Sequence, residues 1–194
     1  MEQKKMDRRT KYTRQLIKDT LLEELRHKSY SKISVSSICK IAEINRGTFY
    51  LHFLDLDDVL DAIFTDFLSD TTSVLDHVLC PMKQSCTYPF CEKIQKNPHY
   101  HVLFLDDITA SRFMERFTEA GKETFITRLM KGSVLTFEQA ESLFYFQMNG
   151  CLAFNRLMIK NHSTDWSQSQ KVIDQFIKAG LEHFMTHDQP NLMP

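Results

Sequence analysis

Ser34-Val35-Ser36-Ser37-Ile38-Cys39-Lys40-Ile41-Ala42-Glu43-Ile44-Asn45-Arg46-Gly47-Thr48-Phe49-Tyr50-Leu51-His52-Phe53 is the stretch on which the reading of this chain turns. Val35, Ile38, Cys39 and Ala42 recur at i, i+3, i+4 and i+7 behind Ser34, a residue type suited to capping a helix start, and predict a short helix of about two turns. Glu43-Ile44-Asn45 then makes a turn. Asn45 can cap a further short helix that runs to Phe53, with Phe49 and Phe53 four residues apart on its inner face. Two short helices joined this way, over about residues 33–52, form a helix-turn-helix, in which the first helix crosses the DNA backbone and the second enters the major groove.

Working outward, Ile17, Leu21 and Leu25 make an i, i+4, i+8 stripe on an amphipathic helix expected from about Arg8 to His27. Two-turn helices are marginal alone, so the pair must be held by this first helix and by the start of a fourth. Asp55 opens that fourth helix, expected to reach about Leu79, with Val59, Ile63 and Phe67 beside Leu60, Phe64, Leu68 and Leu75 on a wide apolar face. Its first turn carries Asp55, Asp57, Asp58 and Asp61, which complement the positive end of the helix dipole. The expected division is a basic arm and three-helix head in residues 1–54 and a helical body in residues 55–194, with the helix of 55–79 linking the two.

The overall charge of -1 conceals an asymmetry. Residues 1–54 hold twelve Lys/Arg against six Asp/Glu, a balance of +6, and residues 55–194 hold twelve against nineteen, a balance of -7. A basic head on an acidic body suits a phosphate contact at one end, because neutralised phosphates release counterions. The basic residues cluster in an arm, Lys4, Lys5, Arg8, Arg9, Lys11 and Arg14, expected to lie flexibly along the phosphates or in the adjacent minor groove.

Five glycines and five prolines leave long stretches of helical spacing and no credible strand, so the fold class is all-α. Pro81, Pro89 and Pro98 mark 81–98 as a loop with a short helix. Further helices are expected over about Pro98 to Asp106, Ser111 to Met130, Thr136 to Lys160 and Trp166 to Thr186, with a loose tail. Thirteen of the fifteen phenylalanines follow residue 60; they form either a plain core or the lining of a cavity for an apolar or aromatic effector. Apolar runs stop at four residues, so no membrane span is expected, and five cysteines without a Cys-x-x-Cys suit thiols in the cytoplasm. Cys80, Cys86 and Cys91, near His99 and His101, match no zinc spacing. No metal or cofactor is expected. Phosphate-cradling glycine loops and nucleophile–base pairs are missing too, which points away from an enzyme.

The quoted stretch, above all Arg46 to Phe53 between a small-residue helix and an acidic helix start, resembles the TetR family of transcriptional regulators over about residues 8–70. The resemblance implies an all-α, nine-helix, Ω-shaped homodimer whose last two helices form a four-helix interface, with a ligand cavity in the larger domain. It also implies a one-component repressor that releases a double-stranded operator when a small molecule binds. An activator, or a DNA-binding regulator controlled by a protein partner, is the alternative.

The residues expected at DNA are Lys11, Ser36, Ser37, Asn45, Arg46, Gly47, Thr48, Tyr50 and His52. Arg46 can read guanine with its planar fork or clamp a phosphate, and Gly47 lets the backbone approach the duplex. Thr48 can offer its methyl to thymine or its hydroxyl to base or phosphate, while Tyr50 and His52 can donate to phosphates. Ser36 and Ser37, at a helix start, suit a phosphate as well. Ser36, Leu54 and Leu56 stand where many TetR relatives carry cations, which shifts expected affinity onto the arm.

Overall fold

The computed structural model describes residues 2–69, 88–131, 133–163 and 165–185, with side chains from residue 8 in the first stretch and from residue 91 in the second. Its α-helices among these residues are α1 (Glu2–Glu24), α2 (Val35–Ile41), α3 (Arg46–Tyr50), α4 (Leu56–Leu68), α5 (Tyr88–Lys96), α6 (His101–Leu105), α7 (Asp107–Lys131), α8 (Phe137–Lys160) and α9 (Trp166–Glu182). Single 3-10 turns at Tyr30–Lys32 and Pro98–Tyr100 complete the regular structure, and the described residues contain no strand beyond one bridge pairing Ser133 with Met185. The all-α class expected from helical spacing is the class found.

Two compact units result, one from Met1–Ser69 and Asn97–Phe113, the other from the described parts of Asp70–Lys96 and Met114–Pro194. In the first, Ile17, Leu21 and Leu22 of α1 are buried with Ile38 of α2, Phe49 and Phe53, and Val59, Leu60 and Ile63 of α4. This is the stripe of α1 closing over the two short helices, which supplies the tertiary contact that helices of five and seven residues need. Beside it Phe64, Phe67, Phe104 and Phe113 pack edge to face, with ring centroids 4.9 to 5.9 Å apart. Those phenylalanines, like Phe125 and Phe144 in the second unit, are fully buried core residues.

Asp57 ties this unit together through side chains. Arg112 donates from Nη1 and Nη2 to its two carboxylate oxygens at 2.7 and 2.8 Å, and the Tyr30 hydroxyl donates to it at 2.5 Å. The Asp106 carboxylate accepts from the Tyr30 backbone N–H at 3.0 Å and from the N–H groups of Ile108 and Thr109, so it caps the start of α7. That cap begins the helix at Asp107, four residues earlier than the periodicity indicates.

The second unit is built on α8, where Ala140, Phe144, Met148, Cys151, Asn155 and Met158 are buried at helical spacing. Thr136 and Gln139 form a reciprocal capping box at its start. Cys91 is buried on α5 and accepts a hydrogen bond from Asn155 Nδ2 at 3.2 Å, a structural contact. Cys80 and Cys86, the expected continuation of the fourth helix to Leu79 and the tail after Met185 lie outside the described residues.

Two expectations are corrected. The first helix begins at Glu2 rather than near Arg8, so the backbone of the expected flexible arm is helical. Residues 2–9 are Glu, Gln, Lys, Met and Arg, good helix formers, apart from the single Asp7, with neither Gly nor Pro to interrupt them. The expected recognition helix to Phe53 is a shorter helix, Arg46–Tyr50, capped by Leu51; His52 and Phe53 follow as a turn, their N–H groups still bonded to the Phe49 carbonyl.

Candidate nucleic-acid interface

The turn between α2 and α3 is closed by the backbone. Ala42 caps α2, Glu43 takes a left-handed φ of 53°, and the Ile44 N–H reaches back to the Cys39 carbonyl at 3.0 Å. That six-to-one bond with a left-handed residue is a Schellman closure, a position usually filled by glycine. At the other end of α2, Ser34 and Ser37 exchange hydrogen bonds in a capping box, Ser34 Oγ accepting from Ser37 N at 3.1 Å and Ser37 Oγ from Ser34 N at 3.2 Å. Ser37 therefore spends its hydroxyl on the cap and is half-buried, whereas Ser36 beside it is exposed.

Asn45 caps α3. Its Oδ1 accepts from the Thr48 N–H at 2.7 Å and from Thr48 Oγ1 at 3.1 Å. A Cβ at Gly47 would stand 3.2 Å from that same Oδ1, tighter than ordinary contact, so glycine here has a local packing reason in addition to its openness toward the surface. Phe49 and Phe53 point inward, 0 % and 2 % exposed, and anchor the helix.

Of the remaining side chains, Thr48 is half-buried while Arg46 and Tyr50 face out. Arg46 and Tyr50, one turn apart, are exposed and joined by a 3.2 Å hydrogen bond from Arg46 Nη2 to the Tyr50 hydroxyl, which raises the guanidinium pKa above its usual value. Arg46 is thereby held in one direction. Behind α3, burial pushes the Cys39 thiol up, so it stays neutral beside Arg46. Asn45, Arg46, Gly47, Thr48 and Tyr50 thus converge on one short helix, with His52 half-exposed just past its end. Lys11 is exposed on α1, with Arg8, Arg9 and Tyr12 nearby in sequence. The side chains of Lys4 and Lys5 lie outside the described residues.

Arg14 departs from its expected place in the basic arm. Its Nη1 donates to the His52 carbonyl at 2.5 Å and its guanidinium lies 4.2 Å from the Phe53 ring centroid. The cation is committed to holding the end of α3 against α1 and is not presented to phosphate. No spacing rule could have found this, because the partners are 38 residues apart in sequence. Leu51 carries no polar group to mark it in the sequence, yet it is 81 % exposed at the end of α3.

On the second unit, α8 and α9 leave between them an open apolar groove of about 520 Å³, lined by Leu143, Phe146 and Gly150 from α8 and by Phe176, Gly180 and Leu181 from α9. Phe146 and Phe176 are each 71 % exposed. Both glycines are open: a Cβ at Gly150 or Gly180 meets nothing within 4 Å.

No family model and no curated protein matches this chain. Among solved structures it is similar to a dihydroxyacetone kinase operon activator, DhaS, with a TM-score of 0.52 and 17% identity over 90% of this chain and 98% of that one. It is likewise similar to a TetR-family transcriptional regulator from Syntrophomonas wolfei, with a TM-score of 0.55 and 19% identity over 89% and 94% of the two chains. The likeness is one of fold: the chain has the all-helical fold of TetR-type transcriptional regulators.

Proposed function

We propose that this protein is a DNA-binding transcriptional regulator that works as a homodimer in the cytoplasm and inserts α3 into the major groove of a double-stranded operator. The observation that carries the reading is the exposure of Arg46, Gly47 and Tyr50, beside a half-buried Thr48, on a capped helix whose inner face is fully buried. A head with a balance of +6 adds the non-specific attraction that holds such a helix at the duplex. Within that reading Ser36 and Lys11 contact phosphate, Asn45 sets the entry of α3, Ser37 fixes the start of α2, and His52 contacts the backbone from the following turn.

The groove between α8 and α9 supports pairing of two copies through the last two helices, since large exposed apolar patches mark interaction surfaces. Dimer symmetry would place two copies of α3 on two half-sites one helical turn apart. The regulator represses, and a small apolar or aromatic effector bound in the C-terminal region releases it. Catalysis has no part in this. A second reading, activation, is favoured by one observation: a fold neighbour of this chain is itself an operon activator.

Selection of bound duplexes from a random library by the full chain, followed by titration of the selected sequence, tests DNA binding. An inverted repeat bound tightly by wild type and weakened roughly tenfold or more by Arg46→Ala is expected. Failure to select any sequence would sink the reading. A reporter placed under the selected operator separates repression from activation by the sign of the change.

A further inference from the structure

The recognition helix carries its most outward side chain where no polar chemistry is available. At about 100° of turn per residue, the buried Phe49 and Phe53 define the inner direction of α3, and Leu51 falls about opposite their midpoint. Tyr50 lies on one flank of that crest and Thr48 and His52 on the other, while Arg46 leaves the helix nearer the Phe49 side and reaches round to the Tyr50 hydroxyl. The exposures agree, since Leu51 is 81 % exposed against 48 % for Tyr50. Leu51 is the C-cap of α3 with helical backbone angles, and its N–H donates to the Gly47 carbonyl at 3.1 Å, so it stands one turn above the residue that has no side chain. A ridge results in which a bare backbone at Gly47 permits close approach and a leucine projects beyond it.

An isobutyl group at the crest of a helix in a major groove meets mostly hydrogen-bonding base edges, and its largest apolar partner there is the thymine C5-methyl, the one methyl group that unmodified B-DNA presents. Burying it against an amide or carbonyl edge would strand polar groups without partners, whereas against a methyl it removes apolar surface from water on both sides. We infer that Leu51 is a base-reading residue that packs against thymine methyl groups, so that each half-site carries thymine beneath the C-terminal end of α3. This inference rests on the DNA-binding reading above and assigns part of its sequence specificity.

Replacing single thymines by deoxyuridine in the selected duplex removes only the methyl group and leaves pairing and hydrogen-bonding edges intact. Wild type is expected to lose about fourfold in affinity at one or two symmetric positions, the effect of one buried methyl. The same replacements are expected to cost Leu51→Ala nothing further, while Leu51→Ala on unmodified DNA shows a loss of similar size. Leu51 is exposed, so the alanine variant should fold as wild type does, which a melting curve verifies. A flat deoxyuridine scan in wild type, or losses that persist undiminished in Leu51→Ala, would overturn the inference while leaving DNA binding standing. If no duplex is selected at all, the DNA-binding reading fails and this assignment fails with it.

Discussion

Arg14 on α1 and Phe53 after α3 form a cation–π pair, with the guanidinium carbon 4.2 Å from the ring centroid and Nη1 bonded to the neighbouring His52 carbonyl at 2.5 Å. The pair fixes the end of the candidate recognition helix to the longest helix of the head. Removing a charge-assisted hydrogen bond and a cation–π interaction at a half-buried site should together cost about 1–3 kcal/mol in Arg14→Ala. Lysine, which keeps the charge but not the planar fork, should recover only part of this. Thermal melting of the three proteins checks the order. A melting point for Arg14→Ala equal to that of wild type would refute the clasp.

Glu43 offers a stabilising change in the same head. It takes the left-handed φ of 53° that closes the turn between α2 and α3, and its side chain is exposed. A non-glycine residue there is disfavoured by about 1 kcal/mol, which outweighs the extra chain entropy that glycine brings to the unfolded state. Glu43→Gly should therefore raise the stability by several tenths of a kcal/mol up to about 1 kcal/mol. Denaturant titration at constant slope measures it, and a lower midpoint would show that Glu43 has a compensating role.

The head is largely legible in its sequence because its signals are local. Ser34, Asn45 and Asp55 each precede a helix and each caps it through the side chain, and Phe49 and Phe53 carry the inner face by spacing alone. What is not legible depends on partners distant in sequence. Arg14 sits in a run of cations and reads as one more, until α3 is packed beside it. The start of α7 is set by Asp106, whose carboxylate also reaches Tyr30, 76 residues away. Leu51 escapes notice for a different reason: an apolar residue next to Tyr50 reads as packing, and only its outward position shows otherwise.

Asp57 makes the first unit sensitive to acid. The Arg112 hydrogen bond, with help from Tyr30, holds its carboxyl below the ordinary value of 3.8, against the opposing effect of burial. A carboxylate depressed in the folded state contributes stability above its unfolded pKa, and that contribution is lost as pH falls through the folded value. Wild type should therefore lose stability progressively below about pH 4. Asp57→Asn should be less stable at neutral pH, by about 1 kcal/mol given the partial exposure of the pair, and show a flatter acid limb. Parallel acid limbs in the two proteins would mean that Asp57 does not supply this dependence. Tyr30, pushed up by burial and by Asp57, works in the opposite window, its contribution fading only in strong alkali.

Gly150 and Gly180 separate folding from association. Nothing stands within 4 Å of a Cβ built at either position, so larger residues there have room in a single chain. A partner's helices seated in the groove would occupy that room. Gly150→Leu and Gly180→Leu should thus leave the helical content unchanged yet shift sedimentation at micromolar concentration from dimer toward monomer. In the proposed dimer two half-sites are engaged together, so operator affinity should fall as well. Glycine-to-leucine variants that remain dimeric with full affinity would place the interface elsewhere.

Arg8, Arg9 and Lys11 remain as the exposed cations described on the N-terminal part of α1, once Arg14 is assigned to the clasp. Their backbone is helical from Glu2, so a DNA contact by these residues would be made from a helix and not from a loose arm. Glutamine at all three positions keeps strong helix formers in place and removes three charges, which isolates electrostatics from folding. For every phosphate left unneutralised, the slope of log affinity against log salt should shrink by about 0.9. The triple variant should accordingly bind the operator more weakly at low salt and with a flatter slope, while Arg14→Ala should leave the slope as it is. An unchanged slope in the triple variant would mean that Arg8, Arg9 and Lys11 neutralise no phosphate.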